Sequence, residues 1–342
     1  REEYAFMDLL TQGLVGSAAA QSFAGPKAQG RAVWYGAVAG MAPDLDALIR
    51  SSADPLLNLD YHRHFSHSLA FIPVGATLVA LLIWWLSRRR FDFREIWQAC
   101  MLGYATHGLL DACTSYGTHL LWPFALERVS WNLVSIVDPL FSLPLLILLI
   151  LGVKRRQFWF PRAASIFCLS YLLFAFMQHW QAESAQAALI EQRDHAADRR
   201  IVKPSIGNVF LHRSVYLHEG VYHVDAIHVF PGLVPKIYTG GEVAAYKFRD
   251  TDPAPSASSR LAKDVARFGR LSDGFLGQHP ETVDVIGDVR YGMLPTSTVP
   301  LWGIQINPAQ PEVSAEFVKF RTIGDGNKEA FYSMLFRRDL PK

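Results

Sequence analysis

The 342-residue chain has only three cysteines. All three (Cys100, Cys113 and Cys168) fall inside apolar runs with no ligand spacing between them. That excludes a disulfide framework and a thiolate zinc site, and leaves them as small core residues. Charge is equally sparse: 33 basic against 31 acidic residues gives a formal net charge of +2, so no nucleic-acid partner is expected. No internal repeat or low-complexity tract is present. The N-terminal stretch has neither a basic n-region nor a small-residue cleavage site, so no cleavable signal peptide is expected.

What the chain does have is apolar sequence, half of all residues, concentrated before about residue 182. The remainder has the Gly, Pro and charge content of a soluble domain. The expected organisation is a transmembrane helical domain over 1–182 and a soluble domain over 183–342. A bilayer crossing takes roughly 20 apolar residues. The clearest runs are 67–87, closed by Arg88–Arg90, and 133–153, closed by Lys154–Arg156. Segments 163–180 and 96–122 come next, and 9–24 and 32–49 are weaker. About six spans, some of them short, are therefore expected. Basic residues in short loops mark the cytoplasmic side, which puts both ends and the loops 51–66 and 123–132 outside. Trp84, Trp85 and Trp122 read as interface anchors.

Polar residues then fall on one side of the membrane. Asp8 and Gln12 begin the first span, and Asp44 and Asp46 end the second. His62, His64 and His67 precede the third, His107, Asp111 and His119 lie in the fourth, and Asp138 begins the fifth. Charged groups at such depth are costly, and facing a shared, partly wet pocket relieves that cost. His107 and Asp111 are four apart, so a helix projects both from one face, a two-point chelate for a divalent cation. "PDLD" (43–46) adds two carboxylates, and "HRHFSHS" (62–68) adds three imidazoles and a guanidinium. Such mixed ligation suits zinc, manganese or iron better than calcium or magnesium. Two metals roughly 3.5–4 Å apart polarise a phosphoryl oxygen, and the fork of Arg63 matches a phosphate.

Several stretches carry a resemblance: "MDLLTQGLVG" (7–16), "PDLD", "HRHFSHS", "GYATHGLLDACTSYGTHLLWPF" (103–124), "IVDPLFSLPLL" (136–146) and, near the C-terminus, "DVIGDVRYGMLPTSTVPLWGI". Together they resemble the YdjM-type membrane-bound metal-dependent hydrolases. His64 stands where those relatives commonly have Gly, and Gln12 where many have His. A more distant similarity is to zinc-dependent phospholipase C and its nuclease relatives, whose Asp, His and His-x-x-x-Asp ligands come in the same chain order. The resemblance implies an integral hydrolase of the bacterial inner membrane acting on a phosphoester, with a lipid or lipid-linked substrate entering from the bilayer. Asp44, Asp46, His62, His67, His107 and Asp111 would hold one or two Zn2+ (Mn2+ or Fe2+ in their place). Arg63 would orient the phosphate, and Asp138 or His119 would shuttle a proton. Two other classes stay open: a metal or proton transporter, and a structural membrane protein whose metal pins helices.

The second domain reads as a small α+β fold with an antiparallel sheet, predicted periplasmic. A polar helix leads in over 182–201. "VFLHRSVYLHEGVYHVDAIHVF" (209–230) alternates like a hairpin turning at Glu219–Gly220. His212, His218, His223 and His228 read as solvent-facing strand histidines, with a second metal site as the other reading. Residues 257–276 have helical spacing, 252–259 reads as a flexible loop, and three more strands are expected towards the C-terminus.

Overall fold

A computed structural model describes residues 9–25, 28–51, 54–247, 259–321 and 325–340. Asp8 and positions 252–258 lie outside the described residues. The chain divides into two compact units: 1–49, 61–176 and 206–208 in the first, and 50–60, 177–205 and 209–342 in the second.

The first unit is helical. It contains α1 (Leu9–Phe23), α2 (Gln29–Met41), α4 (Ile72–Leu86), α5 (Phe93–Ala112), α6 (Pro139–Arg155) and the first part of α7 (Trp159–Gln192); the single-turn helix α3 (Leu57–Tyr61), just ahead of the histidine box, belongs to the second unit up to Asp60. Leu14, Val15, Leu110, Phe141, Leu145, Leu149 and Cys168 form one core; Ala39, Ala76, Ala80, Ile96, Cys100 and Tyr104 form another. Helices α1, α2 and α5 meet through small residues. A Cβ on Gly103 would lie 2.5 Å from the Gly36 carbonyl oxygen, so only glycine permits that approach.

By length and apolarity two segments can cross a membrane, Leu69–Leu86 and Trp159–Gln192. The other expected spans contain shorter or less uniformly apolar helices. Helices α1 and α2 have 15 and 13 residues. Helix α5 has 20 but stops at Ala112, where the expected span ran to 122, and it carries Arg94 and Glu95. The six-span expectation thus reduces, on this criterion, to a helical region with two candidate spans among the described residues.

The second unit holds two four-stranded antiparallel sheets. The strands β1 (Arg199–Pro204), β2 (Leu211–His218), β3 (Val221–His228) and β4 (Lys236–Ala244) pair in that order. Helix α8 (Arg260–Leu271) follows, capped by Ser259, whose Oγ accepts from the Ala262 amide at 3.2 Å. The strands β5 (Leu276–Gln278), β6 (Val285–Asp288), β7 (Trp302–Gln305) and β8 (Glu316–Lys319) also pair in order, and α9 (Asp325–Leu335) ends the fold. The β2–β3 hairpin turns at Glu219 (φ 49°) and Gly220 (φ 79°), the positive pair a two-residue turn requires.

The strand histidines correct the solvent-facing expectation. His212 is fully buried and His228 is 3% exposed; His218 and His223 are half-buried. Helices cover both faces of this sheet. Ala182 of α7 packs with Val202 and Ile227, and Met334 of α9 packs with Leu211, Ala226 and Tyr238. Ile227 pairs across from His212, and Leu211 from His228, so each histidine shares a covered face. The polar lead-in also ends early: α7 stops at Gln192, and 199–201 already belong to β1.

Candidate metal centre

Three local structures build the centre. After α2, Pro43 sits in the first turn of a 3-10 segment, Ala42–Leu48, which presents Asp44 and Asp46. After α3, Arg63 adopts φ 64° and turns the chain into the short 3-10 turn Phe65–His67. Helix α5 brings His107 and Asp111 onto one face, as their spacing requires. Gly108 lets the α5 backbone close on this segment; a Cβ there would collide with the His67 carbonyl.

Asp44, His67, His107 and Asp111 converge. One ligand atom from each lies within 4.8 Å of all the others, and all four residues are buried. His67 Nε2 is 3.4 Å from Asp44 Oδ1 and 3.1 Å from Asp111 Oδ2. His107 Nε2 is 3.5 and 3.6 Å from the same two oxygens. Four donors at about 2.0–2.1 Å around a tetrahedral zinc stand roughly 3.3–3.4 Å apart. The four measured edges bracket that value. Those four atoms also lack hydrogen-bond partners although buried, and buried polar atoms are rarely left so. The residues therefore fit a divalent cation.

The remaining polar atoms of the same side chains are occupied. His107 Nδ1 meets the Gly40 carbonyl at 2.5 Å. His67 Nδ1 lies 3.0 Å from Ser66 Oγ and 3.1 Å from Asp46 Oδ2. Gln12 Nε2 donates to Asp111 Oδ1 at 2.8 Å. Ring nitrogens fixed in this way leave Nε2 as the ligand atom and set the ring plane.

Asp46 is a hub. Its Oδ2 accepts from the Arg63 amide (3.0 Å) and Ser66 Oγ (2.7 Å), and its Oδ1 meets His62 Nδ1 at 2.9 Å. Asp44, Asp46 and His62 also form a second group with ligand atoms within 4.8 Å, and Asp44 is common to both groups.

The other expected residues are placed differently. Arg63 is 1% exposed. Its Nε sits 3.1 Å from Asp111 Oδ2 and its Nη1 donates to Thr114 Oγ1 at 2.8 Å. The guanidinium thus braces Asp111, in place of the free phosphate fork that the sequence implied. His119 Nε2 accepts from Arg128 Nε at 3.4 Å, and its ring packs 4.6 Å from that of His64. Asp138 caps α6 through the Leu140 amide and accepts from the Tyr171 hydroxyl at 2.6 Å. Neither belongs to the converging groups.

The sequence reading did not single out Ser66, Thr114, Tyr116 and Arg128. The Tyr116 ring lies 5.1 Å from both the Arg63 and the Arg128 guanidinium carbons and 5.9 Å from the His62 ring. Only the "HRHFSHS" box hinted at Ser66; the others carry no spacing signal.

The model of the YdjM inner membrane protein family matches residues 7–182, about half of the chain and all of the residues just described. Inner membrane protein YbcI of Escherichia coli (strain K12) is 32% identical over 112 residues, which is 31% of this chain and 62% of that relative. The match thus spans less than two thirds of the relative's length. No solved structure gives a significant match.

Proposed function

Because the chain belongs to the YdjM inner membrane protein family, we propose that it is a multi-pass metal-dependent hydrolase of that membrane, acting on a phosphoester in a lipid or lipid-linked substrate. The observation that carries this reading is the set of four buried donor atoms without hydrogen-bond partners, with edges of 3.1–3.6 Å. Asp44, His67, His107 and Asp111 hold the cation, zinc by donor chemistry, with manganese or iron as the alternatives. Asp44 has a second oxygen without a partner, through which it can be shared with a second cation on the Asp46–His62 side. When bound, the metal supplies Lewis acidity for attack of water on phosphorus. Asp46 orients His67 and holds the half-buried His62, which is placed to take or return a proton. Arg63 fixes Asp111. The orientation that puts this centre and the second unit on the periplasmic side follows from the basic loops.

A second reading has its own support. Four protein donors can close a tetrahedral shell, the habit of structural zinc, which would leave a cation pinning α5 to the segments before and after α3. Metal analysis and turnover separate the two. Purified protein and its His107→Ala variant are assayed against a generic phosphodiester and phospholipid vesicles. Metal-dependent hydrolysis lost in the variant supports the enzyme. Stoichiometric metal without turnover on any ester supports the structural role, and metal-dependent ion flux in vesicles would move the reading to transport.

A further inference from the structure

Between the two ligand-bearing segments, "PDLD" and "HRHFSHS", the chain makes an excursion. Positions 50–60 belong to the second unit although their neighbours on both sides belong to the first. The hold is built from two kinds of contact. Leu56 is 1% exposed and packs in the core formed by Leu261, Val265, Phe268, Ile286, Ile304 and Ile306. Arg267 of α8 grips the same stretch by charge: its Nη1 donates to both oxygens of Asp54 at 2.7 and 2.8 Å, and its Nε donates to Asp60. The Arg267 side chain is 15% exposed and its partners Asp54 and Asp60 are 26% and 35% exposed, so the grip is a partly buried, two-acid ion pair made bidentate on Asp54.

The spacing along the chain gives this hold its consequence. Asp60 and Tyr61 end α3, and His62 follows directly, so no flexible linker separates the gripped carboxylate from the first histidine of the box. The Asp46 carboxylate that receives His62 and the Arg63 amide is eight residues before Asp54. Ligand geometry is sensitive to displacements of about an ångström, and supporting residues set it.

We propose that Arg267 and Leu56 are positioning residues for the metal centre: the soluble unit holds the 50–60 segment and so sets the placement of His62 and His67. This rests on the metal reading above. An apolar anchor alone would have sufficed to tether a loop; the added fork onto Asp54, ahead of the one-turn helix α3, and Asp60, near its end, fixes its rotation as well. The soluble unit is then a part of the hydrolase's active geometry, and membrane-side chemistry answers to a residue more than 200 positions away in sequence.

The test uses the 342-residue chain in detergent or nanodiscs, as wild type, Arg267→Ala and Asp54→Asn. Two quantities are read: Zn2+ or Co2+ affinity, with the Co2+ absorption spectrum, and amide hydrogen exchange of 61–68 against that of β2 as a folding control. The expected result is metal affinity reduced roughly ten-fold, an altered Co2+ spectrum, and faster exchange in 61–68 with β2 protection unchanged. Wild-type affinity, spectrum and exchange in both variants would overturn the proposal. A wild-type protein that binds no metal sinks the metal reading, while the exchange comparison still decides whether the segment is held. If Arg267→Ala also loses β2 protection, the milder Asp54→Asn decides.

Discussion

Buried aspartates are treated in opposite ways by the two units. In the second, each one has a guanidinium. Arg193 reaches Asp225 through two nitrogens at 2.7 and 3.0 Å, Arg290 reaches Asp288 at 2.7 and 2.9 Å, and Asp264 has Arg260 at 3.4 Å together with the Ala315 amide. In the first, the buried aspartates Asp44, Asp46, Asp111 and Asp138 have among them a single guanidinium, that of Arg63 on Asp111, and Asp138 is met instead by the Tyr171 hydroxyl and the Leu140 amide. Neither oxygen of Asp44 has a hydrogen-bond partner. Taking a carboxylate out of water costs several kcal/mol unless a cation compensates. The second unit builds that cation from its own side chains. The first brings four donor atoms of Asp44, His67, His107 and Asp111 within 4.8 Å of one another, a group that could hold a metal ion.

Four expectations break or sharpen this contrast. The largest effect belongs to the satisfied pair. Arg290→Ala strands Asp288 at 2% exposure, and stability should fall by about 3–5 kcal/mol in thermal or denaturant unfolding, with metal content of the folded protein unchanged. Asp44→Asn keeps the shape but removes the charge. Metal affinity should drop roughly a hundred-fold or more, while stability without metal holds or rises, because a buried charge without a hydrogen-bond partner is gone. A destabilised metal-free Asn variant would mean that Asp44 is satisfied by the protein alone. Gln12→Ala removes the amide that orients Asp111 Oδ1, and titration should show affinity weaker by about ten-fold. Equal affinity would strip Gln12 of that role.

The smallest effect is a slope in pH. Burial lowers the His212 pKa from 6.5 to about 3, so its native form is the neutral ring. The unfolded chain takes up the proton first as pH falls. This contribution is therefore complete above about pH 6.5 and drains away between there and about pH 3. His212→Gln should flatten the acid side of a plot of melting temperature against pH. An unchanged slope would place the titrating group elsewhere.

Legibility in the sequence followed locality. The His107–Asp111 pair needed only helical spacing, and "PDLD" and "HRHFSHS" announce themselves by composition. What those segments meet was less visible. Gln12 and Asp111 are 99 positions apart, and no local pattern joins them. Arg63 stands out in the box as a guanidinium, but whether it faces substrate or Asp111 depends on packing, which sets its Nε beside Asp111. The alternation in β2 and β3 gave the hairpin and its turn, yet alternation alone assigns one face to water. Helices on both faces put His212 and His228 inside. Leu56 looked like one more loop residue, because membership of a distant core leaves no trace at ten-residue range. The number of spans suffered from the same limit, since apolar length does not tell a crossing helix from a buried one.

Elemental analysis of the 342-residue chain, purified without chelator and then dialysed against trace Zn2+, tests the central claim most directly. The account expects at least one transition-metal ion per wild-type chain and near-background metal in Asp44→Asn. Background metal in wild type, unchanged after zinc is supplied, would contradict it.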